Sequence, residues 1–205
     1  MNSLKQKPKI LVITGPSFCG KTTISKKILR IRGFNKLVTT TMRHERPGET
    51  NGVDYWFRKP DDFFARIAND EFFEHEEVFP GKWYGSEYAE LERVVGNGYI
   101  PVVTLDVEGA KKMLTEERVD AYIIYVQVPK EILLGRVEKI KESGERGAEM
   151  QSLDDRIARL DQEIAASEVF FYRVVNEDLD HAMSGVTYLI DSFFPTKTRK
   201  MVQIG

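Results

Sequence analysis

The 205-residue sequence predicts an α/β fold: a parallel sheet flanked by helices, with a mixed α/β lobe inserted early and a charged helical or loop segment late. Three observations predict it. The apolar runs Ile10–Ile13, Ile100–Leu105 and Tyr122–Val126 are continuous rather than alternating, as strands buried on both faces require. They alternate with stretches of helical periodicity, the order that builds βαβ units. A glycine-containing turn, Gly15-Pro16-Ser17-Phe18-Cys19-Gly20-Lys21-Thr22, joins the first strand to the first helix. Ligands of parallel sheets gather at that end of the strands.

Each element has its own signal. Lys9 to Thr14 reads as a buried strand, and Thr23 to Arg32 as a helix stopped near Gly33. Leu37 to Thr41 is a short β-branched run. A polar segment from Arg43 to Gly52 follows, its Asn51-Gly52 turn leading into a strand at Asp54 to Phe57. Asp61 is the expected cap of a helix with Phe63, Phe64, Ile67 and Ala68 facing inward. Glu71 to Phe79 and Lys82 to Tyr84 read as strands around Pro80-Gly81. Ser86 is the expected cap of a helix carrying Tyr88, Leu91, Val94 and Val95 inward. After the strand at Ile100 come a short helix at Val107 to Leu114 and a strong strand at Ala121 to Val128. Pro129 opens a helix through Ile140. Lys141 to Gln151 is charged and reads as a mobile loop. Ser152 is the expected cap of a long helix with Leu153, Ile157, Leu160 and Ile164 on one face. A strand at Tyr172 to Val175, a helix at Asp180 to Phe194 and a polar tail from Pro195 complete the chain.

Composition excludes several classes. Thirty basic residues against 32 acidic give a net charge of −2, which offers no support for bulk binding to nucleic acid or an anionic membrane. No apolar run approaches the ~18 residues of a membrane span, and Met1 to Lys9 lacks the apolar core of a secretory signal. The one cysteine, Cys19, cannot form an internal disulfide. These features point to a cytoplasmic protein; nothing in the sequence fixes its oligomeric state.

The turn fits G-x-x-x-x-G-K-[ST] between a strand and a helix, the context in which that spacing cradles phosphates. Gly15 and Gly20 let the backbone curl so that successive N–H groups face an anion. The dipole of the following helix adds to the attraction. Lys21 is placed to bridge the β- and γ-phosphates of a nucleoside triphosphate, and the Thr22 hydroxyl to hold Mg²⁺. Gly15 to Thr23 is thus the expected nucleoside triphosphate site, which the resemblance named below makes the ATP site. Cys19, near a helix start, reads as a small packed residue. His44, His75 and His181 show no metal-ligand spacing.

The inserted segment holds a second constellation: Thr39, Arg43, Arg46, Tyr55, Glu74, Tyr84 and Ser86. Two arginines three apart, with aromatic hydroxyls, suit a second phosphate monoester, because the guanidinium fork matches phosphate oxygens. Here the sequence resembles the guanylate kinase family. The matching runs are the phosphate loop, Thr40-Thr41 with Arg43 and Arg46-Pro47-Gly48-Glu49, Asn51-Gly52 with Asp54-Tyr55, Glu71-Phe72 with Glu74, Tyr84-Gly85-Ser86, Asp106-Val107-Glu108-Gly109 and Val175-Asn176-Glu177-Asp178-Leu179-Asp180, in family order. The resemblance implies a P-loop NTPase-type sheet and ATP-dependent phosphorylation of GMP to GDP with Mg²⁺. It implies that Arg43, Arg46, Tyr55 and Tyr84 hold the GMP phosphate, and that Thr39, Glu74, Ser86 and Asp106 surround the guanine. Asn176 stands on the adenine side. Arg136, Arg146 and Arg156 are the lid candidates that, with Lys21 and Arg43, carry the transfer. The implied division is a core of residues 9–37, 99–135 and 170–194, a GMP lobe of 38–98, a lid of 136–165 and a tail of 195–205.

Some positions depart from the family pattern. Phe18 and Cys19 stand where small residues are usual, Glu45 where Pro is usual, Thr104 where Asp is usual, and Glu108 where Gln is usual. They leave two rivals: a kinase of another phosphorylated acceptor, and a non-catalytic module that binds through the arginine clamp. Lys21 and Thr22 argue against the module, which needs no donor site.

Overall fold

The computed structural model describes residues 7–143 and 150–195. Its first sheet has five parallel strands: β1 (Lys9–Thr14), β2 (Phe34–Lys36), β7 (Ile100–Thr104), β8 (Asp120–Gln127) and β9 (Tyr172–Val175). Their order across the sheet is β2-β7-β1-β8-β9. The continuous apolar runs are explained by burial on both faces. Leu11 and Ile13 join Ile124 and Val126 against helices α1 (Lys21–Ile28), α5 (Lys130–Ser143), α6 (Met150–Ala165) and α7 (Leu179–Phe193). Ile10 and Val12 join Val103, Ile123 and Tyr125 against α3 (Tyr88–Gly96) and α4 (Val107–Lys112). Each face removes apolar area worth roughly 25 cal/mol per Å² from water.

The second sheet, order β4-β3-β6-β5, is formed by β3 (Thr40–Thr41), β4 (Trp56–Phe57), β5 (Phe72–Phe79) and β6 (Lys82–Glu87). Only β3 and β4 run parallel; the other pairings are antiparallel. Helix α2 (Pro60–Ala68) connects β4 to β5.

The structure corrects several local expectations. The run read at Leu37 to Thr41 is a strand only at Thr40–Thr41, in the second sheet, and the strand that joins the first sheet lies before it, at Phe34–Lys36. Helix α2 starts at Pro60, and its cap is Lys59, not Asp61, without a side-chain bond; proline suits the first helical position because it has no N–H to satisfy. Phe63 is buried, but Phe64 is 43% exposed and leans on Trp83, with ring centroids 5.7 Å apart. Ala68 and Val95 are also exposed. Ser86 is no helix cap: it lies in β6, fully buried, and the cap of α3 is Glu87. Helix α1 stops at Ile28, short of Arg32, although Leu29 and Ile31 still pack on the core. The charged stretch from Lys141 is not all loop, since α5 runs to Ser143 and α6 begins at Met150, with Ser152 inside its first turn rather than capping it. Arg146 and most of the tail lie outside the described residues.

Candidate functional site

The phosphate loop is shaped by constraints that its sequence encodes. Gly15 (φ +142°) has no room for a side chain, since a Cβ would lie 2.4 Å from the Val126 carbonyl oxygen. Gly20 is left-handed (φ +95°), and a Cβ there would meet Asn176 Nδ2 at 2.5 Å. The loop carbonyls are tied down from outside. Asn176 Nδ2 donates to Cys19 O at 2.7 Å, and Arg136 donates to Phe18 O at 3.1 Å and to Asn176 O at 2.7 Å. Ser17 N and Cys19 N are themselves bonded, to Glu163 and to Pro16 O, so it is the start of α1 that is left to face an anion. Lys21 Nζ folds back onto Gly15 O and Pro16 O, at 2.7 and 2.9 Å. Phe18, also left-handed at φ +65°, is partly buried against the first core. Cys19 is buried beneath the loop, and burial pushes its thiol above the usual range despite the pull of Lys21. It is packing, not a reactive thiolate.

Two clefts meet at this loop. One, about 610 Å³, is lined by Phe18, Gly20, Thr23, Arg136, Lys139 and the Asn176–Leu179 turn. The other, about 230 Å³, lies toward the second sheet and is lined by Thr39, Tyr55, Glu74, Tyr84, Thr104 and Asp106. Ser17, Lys21, Thr22 and Arg156 line both. The sequence elements read as donor and acceptor therefore face each other across a shared lysine, threonine and arginine.

The smaller cleft is acidic at its base. Glu74 is 4% exposed and accepts from Ser86 Oγ at 3.2 Å. Asp106 caps α4, its Oδ1 accepting from Gly109 N at 2.8 Å. A Cβ on Gly109 would lie 2.6 Å from Glu74 Oε1 and 2.9 Å from Asp106 Oδ1, so both carboxylates converge over that glycine. Burial, and then the Asp106 charge, push Glu74 up to about 8. Burial also raises Asp106, opposed by the Gly109 N–H and by Arg159.

At the rim, Tyr55 and Tyr84 stand with ring centroids 5.8 Å apart. Arg43 lies 4.8 Å from the Tyr55 centroid, and its fork meets Glu49 in two 2.6 Å bonds. Burial works against the Arg43 charge, but Glu49 and Tyr84 outweigh it, so the guanidinium stays firmly protonated. Glu49 also accepts from Arg46 N at 2.9 Å. Arg43, Arg46 and Ser86 thus stand beside the smaller cleft without lining it, whereas Thr39, Tyr55, Glu74, Tyr84 and Asp106 line it directly. Pro16 and Cys19 support the loop from behind without lining the larger cleft.

Glu163 and Arg159, absent from the residues picked out by sequence, are also placed here. Glu163 Oε2 accepts from Ser17 N at 2.7 Å, and its backbone carbonyl accepts from the buried Tyr125 hydroxyl at 2.9 Å. Arg159 reaches Val78 O, and its Nη2 lies 3.8 Å from Asp106 Oδ2. Their signal was the spacing Arg156, Arg159, Glu163, which puts three charges on one face of α6.

This fold and loop define a P-loop nucleotide-binding α/β protein with a second polar pocket opposite its phosphate loop. The guanylate kinase family model matches residues 7–193. The guanylate kinase of Salinibacter ruber is 37% identical over 90% of this chain and 96% of its own, and that of Porphyromonas gingivalis 31% identical over 90% and 97%. The crystal structure of guanylate kinase from Anaplasma phagocytophilum superposes with a TM-score of 0.70 at 28% identity, covering 96% of this chain and 91% of that one. The chain belongs to the guanylate kinase family. Among the described residues, no helix is long and apolar enough to cross a membrane.

Proposed function

We propose that Lys21, Thr22 and Arg156 mark the transfer point of an ATP:GMP phosphotransferase, with ATP in the larger cleft and GMP in the smaller. The chain is an enzyme of the guanylate kinase class and converts GMP to GDP at the expense of ATP. The observation that carries this reading is the shared lining of the two clefts by Lys21, Thr22 and Arg156, which supports an end-to-end meeting of two phosphate groups there. Residues 38–98 are the acceptor lobe and 136–165 the lid.

No general base is needed. A phosphate monoester has its second pKa near 6, so the attacking oxygen is already anionic at pH 7. The chain's task is to hold two anions in line and stabilise charge on the moving phosphoryl group. Lys21 leaves the Gly15 and Pro16 carbonyls and swings to the phosphates. Arg43 and Arg46, with the Tyr55 and Tyr84 hydroxyls, hold the GMP phosphate. Arg136, Arg156 and Arg146 are the lid cations. Thr39 and Ser86 place hydroxyls at the guanine. Glu74 and Asp106 accept from its N1–H and N2 amino group; adenine lacks the N2 amino donor and leaves carboxylate lone pairs unmet, at a cost of ~1–3 kcal/mol.

The protein oxygen beside Lys21 is the Thr22 hydroxyl, on a residue that lines both clefts. That fits Mg²⁺, which keeps waters and needs few protein ligands beside phosphate oxygens. When bound on Thr22 it supplies charge neutralisation at those oxygens. A coupled ADP-release assay with ATP, Mg²⁺ and a panel of GMP, dGMP, AMP, CMP and UMP tests the assignment. GMP and dGMP are expected to turn over best. AMP turning over better than GMP overturns the roles of Glu74 and Asp106, and no turnover with any acceptor overturns the enzyme reading.

A further inference from the structure

The Arg159 guanidinium touches three parts of the molecule at once. It sits on α6, donates through Nη1 to the carbonyl of Val78 in β5, and lies with Nη2 3.8 Å from Asp106 Oδ2 at the start of α4. Its Cζ is 5.5 Å from the Phe79 ring centroid, and Arg156 approaches the same ring at 5.5 Å. Val78, Phe79 and Asp106 all line the smaller cleft. Asp106 Oδ2 is buried and has no hydrogen-bond partner among the described residues, while its other oxygen is spent on the Gly109 N–H.

We propose that Arg159 is a positioning residue for the acceptor base: it straps the end of β5 to α6 and keeps the free oxygen of Asp106 charged and aimed into the cleft. The proposal rests on the assignment of GMP to that cleft. The physical need is clear. Two carboxylates converge over Gly109, and the nearest like charges oppose ionisation of both. Among the groups facing Asp106, the Gly109 N–H and Arg159 favour its charged form, while Glu76 and Glu163 oppose it. Beside Glu74, Lys112 supplies a further cation. At 3.8 Å, Arg159 is close enough to hold the charge without claiming the oxygen in a short hydrogen bond. Oδ2 therefore stays available to a donor on the ligand. The contact with Val78 has a second effect: β5, which also carries Glu74, cannot drift away from Asp106 while Arg159 holds it.

The test is calorimetric binding of GMP and, separately, ATP to the full chain. The variants are Arg159→Met, Arg159→Lys, Asp106→Asn and the Asp106→Asn/Arg159→Met pair. Arg159→Met is expected to weaken GMP binding about 10- to 100-fold with ATP affinity within about twofold, and Arg159→Lys to recover part of the loss by restoring the charge. In the Asp106→Asn background the same change is expected to cost less than about threefold, because the charge it serves is gone. Equal losses for GMP and ATP, or an undiminished loss in the Asn background, overturn the strap and leave only a folding role for Arg159. Unchanged GMP affinity in Arg159→Met with normal binding by the wild type overturns the strap alone. A wild type that does not bind GMP overturns the acceptor assignment and the strap with it.

Discussion

Replacing Glu74 by Gln is expected to stabilise the protein at alkaline pH while weakening GMP binding. The Glu74 carboxyl is 4% exposed, and its pKa rises to about 8, through burial first and the Asp106 charge second. A group whose folded pKa lies above its unfolded value contributes stability that is complete below the unfolded pKa, near 4.5, and is lost as pH rises through the folded value. Between pH 6 and pH 9 the wild type thus loses the interval from 6 to 8, at about 1.4 kcal/mol per unit. Gln has no proton to lose, so Glu74→Gln should gain on the wild type by about 3 kcal/mol over that range. Binding moves the other way. Gln offers one acceptor and an amide NH₂ that faces guanine's own donors, a loss of about 2–3 kcal/mol, or roughly 30- to 150-fold in GMP affinity. Urea unfolding at pH 6 and pH 9, with GMP titration by calorimetry, measures both. A stability gap that does not change with pH, or GMP binding within about threefold of wild type, refutes the argument. Opposite signs for stability and binding are what a site held in a costly electrostatic state must show.

Three further outcomes follow from the same geometry. GMP affinity should rise with pH up to about 8, by at most about tenfold per unit, because Glu74 must shed its proton to accept from guanine; a flat profile from pH 6 to 8 counts against an ionised Glu74 in the complex. Lys21→Ala should lower kcat by about a thousandfold or more, with GMP binding in the absence of ATP within about twofold; near-normal kcat would displace Lys21 from the transfer point. Gly20→Ala should abolish tight ATP binding while leaving GMP binding intact, since its Cβ would lie 2.5 Å from Asn176 Nδ2 at a positive φ; normal ATP affinity in a titration would mean that the loop does not need this conformation.

The first sheet was legible because its strands are buried on both faces, which leaves little freedom in residue type. Ile10 and Val12 serve one core and Leu11 and Ile13 the other, so all four had to be apolar. The phosphate loop was legible for a different reason: Gly15 and Gly20 are fixed by contacts that forbid a side chain. Elements whose boundaries depend on tertiary pairing were less legible. Phe34–Lys36 joins the first sheet only because β7 lies beside it. Ser86 resembles a helix cap locally, yet β6 continues through it, because β5 supplies a partner up to Glu87 and Glu74 supplies an acceptor for its hydroxyl. The site divides the same way. Residues in compact motifs could be read from their neighbours in sequence. Glu163 could not, because its function is defined by Ser17, 146 positions away, and its backbone is pinned by Tyr125. Since Glu163 and Arg159 lie on the same helix as Arg156, any movement of α6 changes the loop contact, the Asp106 contact and the arginine that lines both clefts together. The two clefts are therefore joined mechanically through one helix face, a coupling that no single motif in the sequence contains.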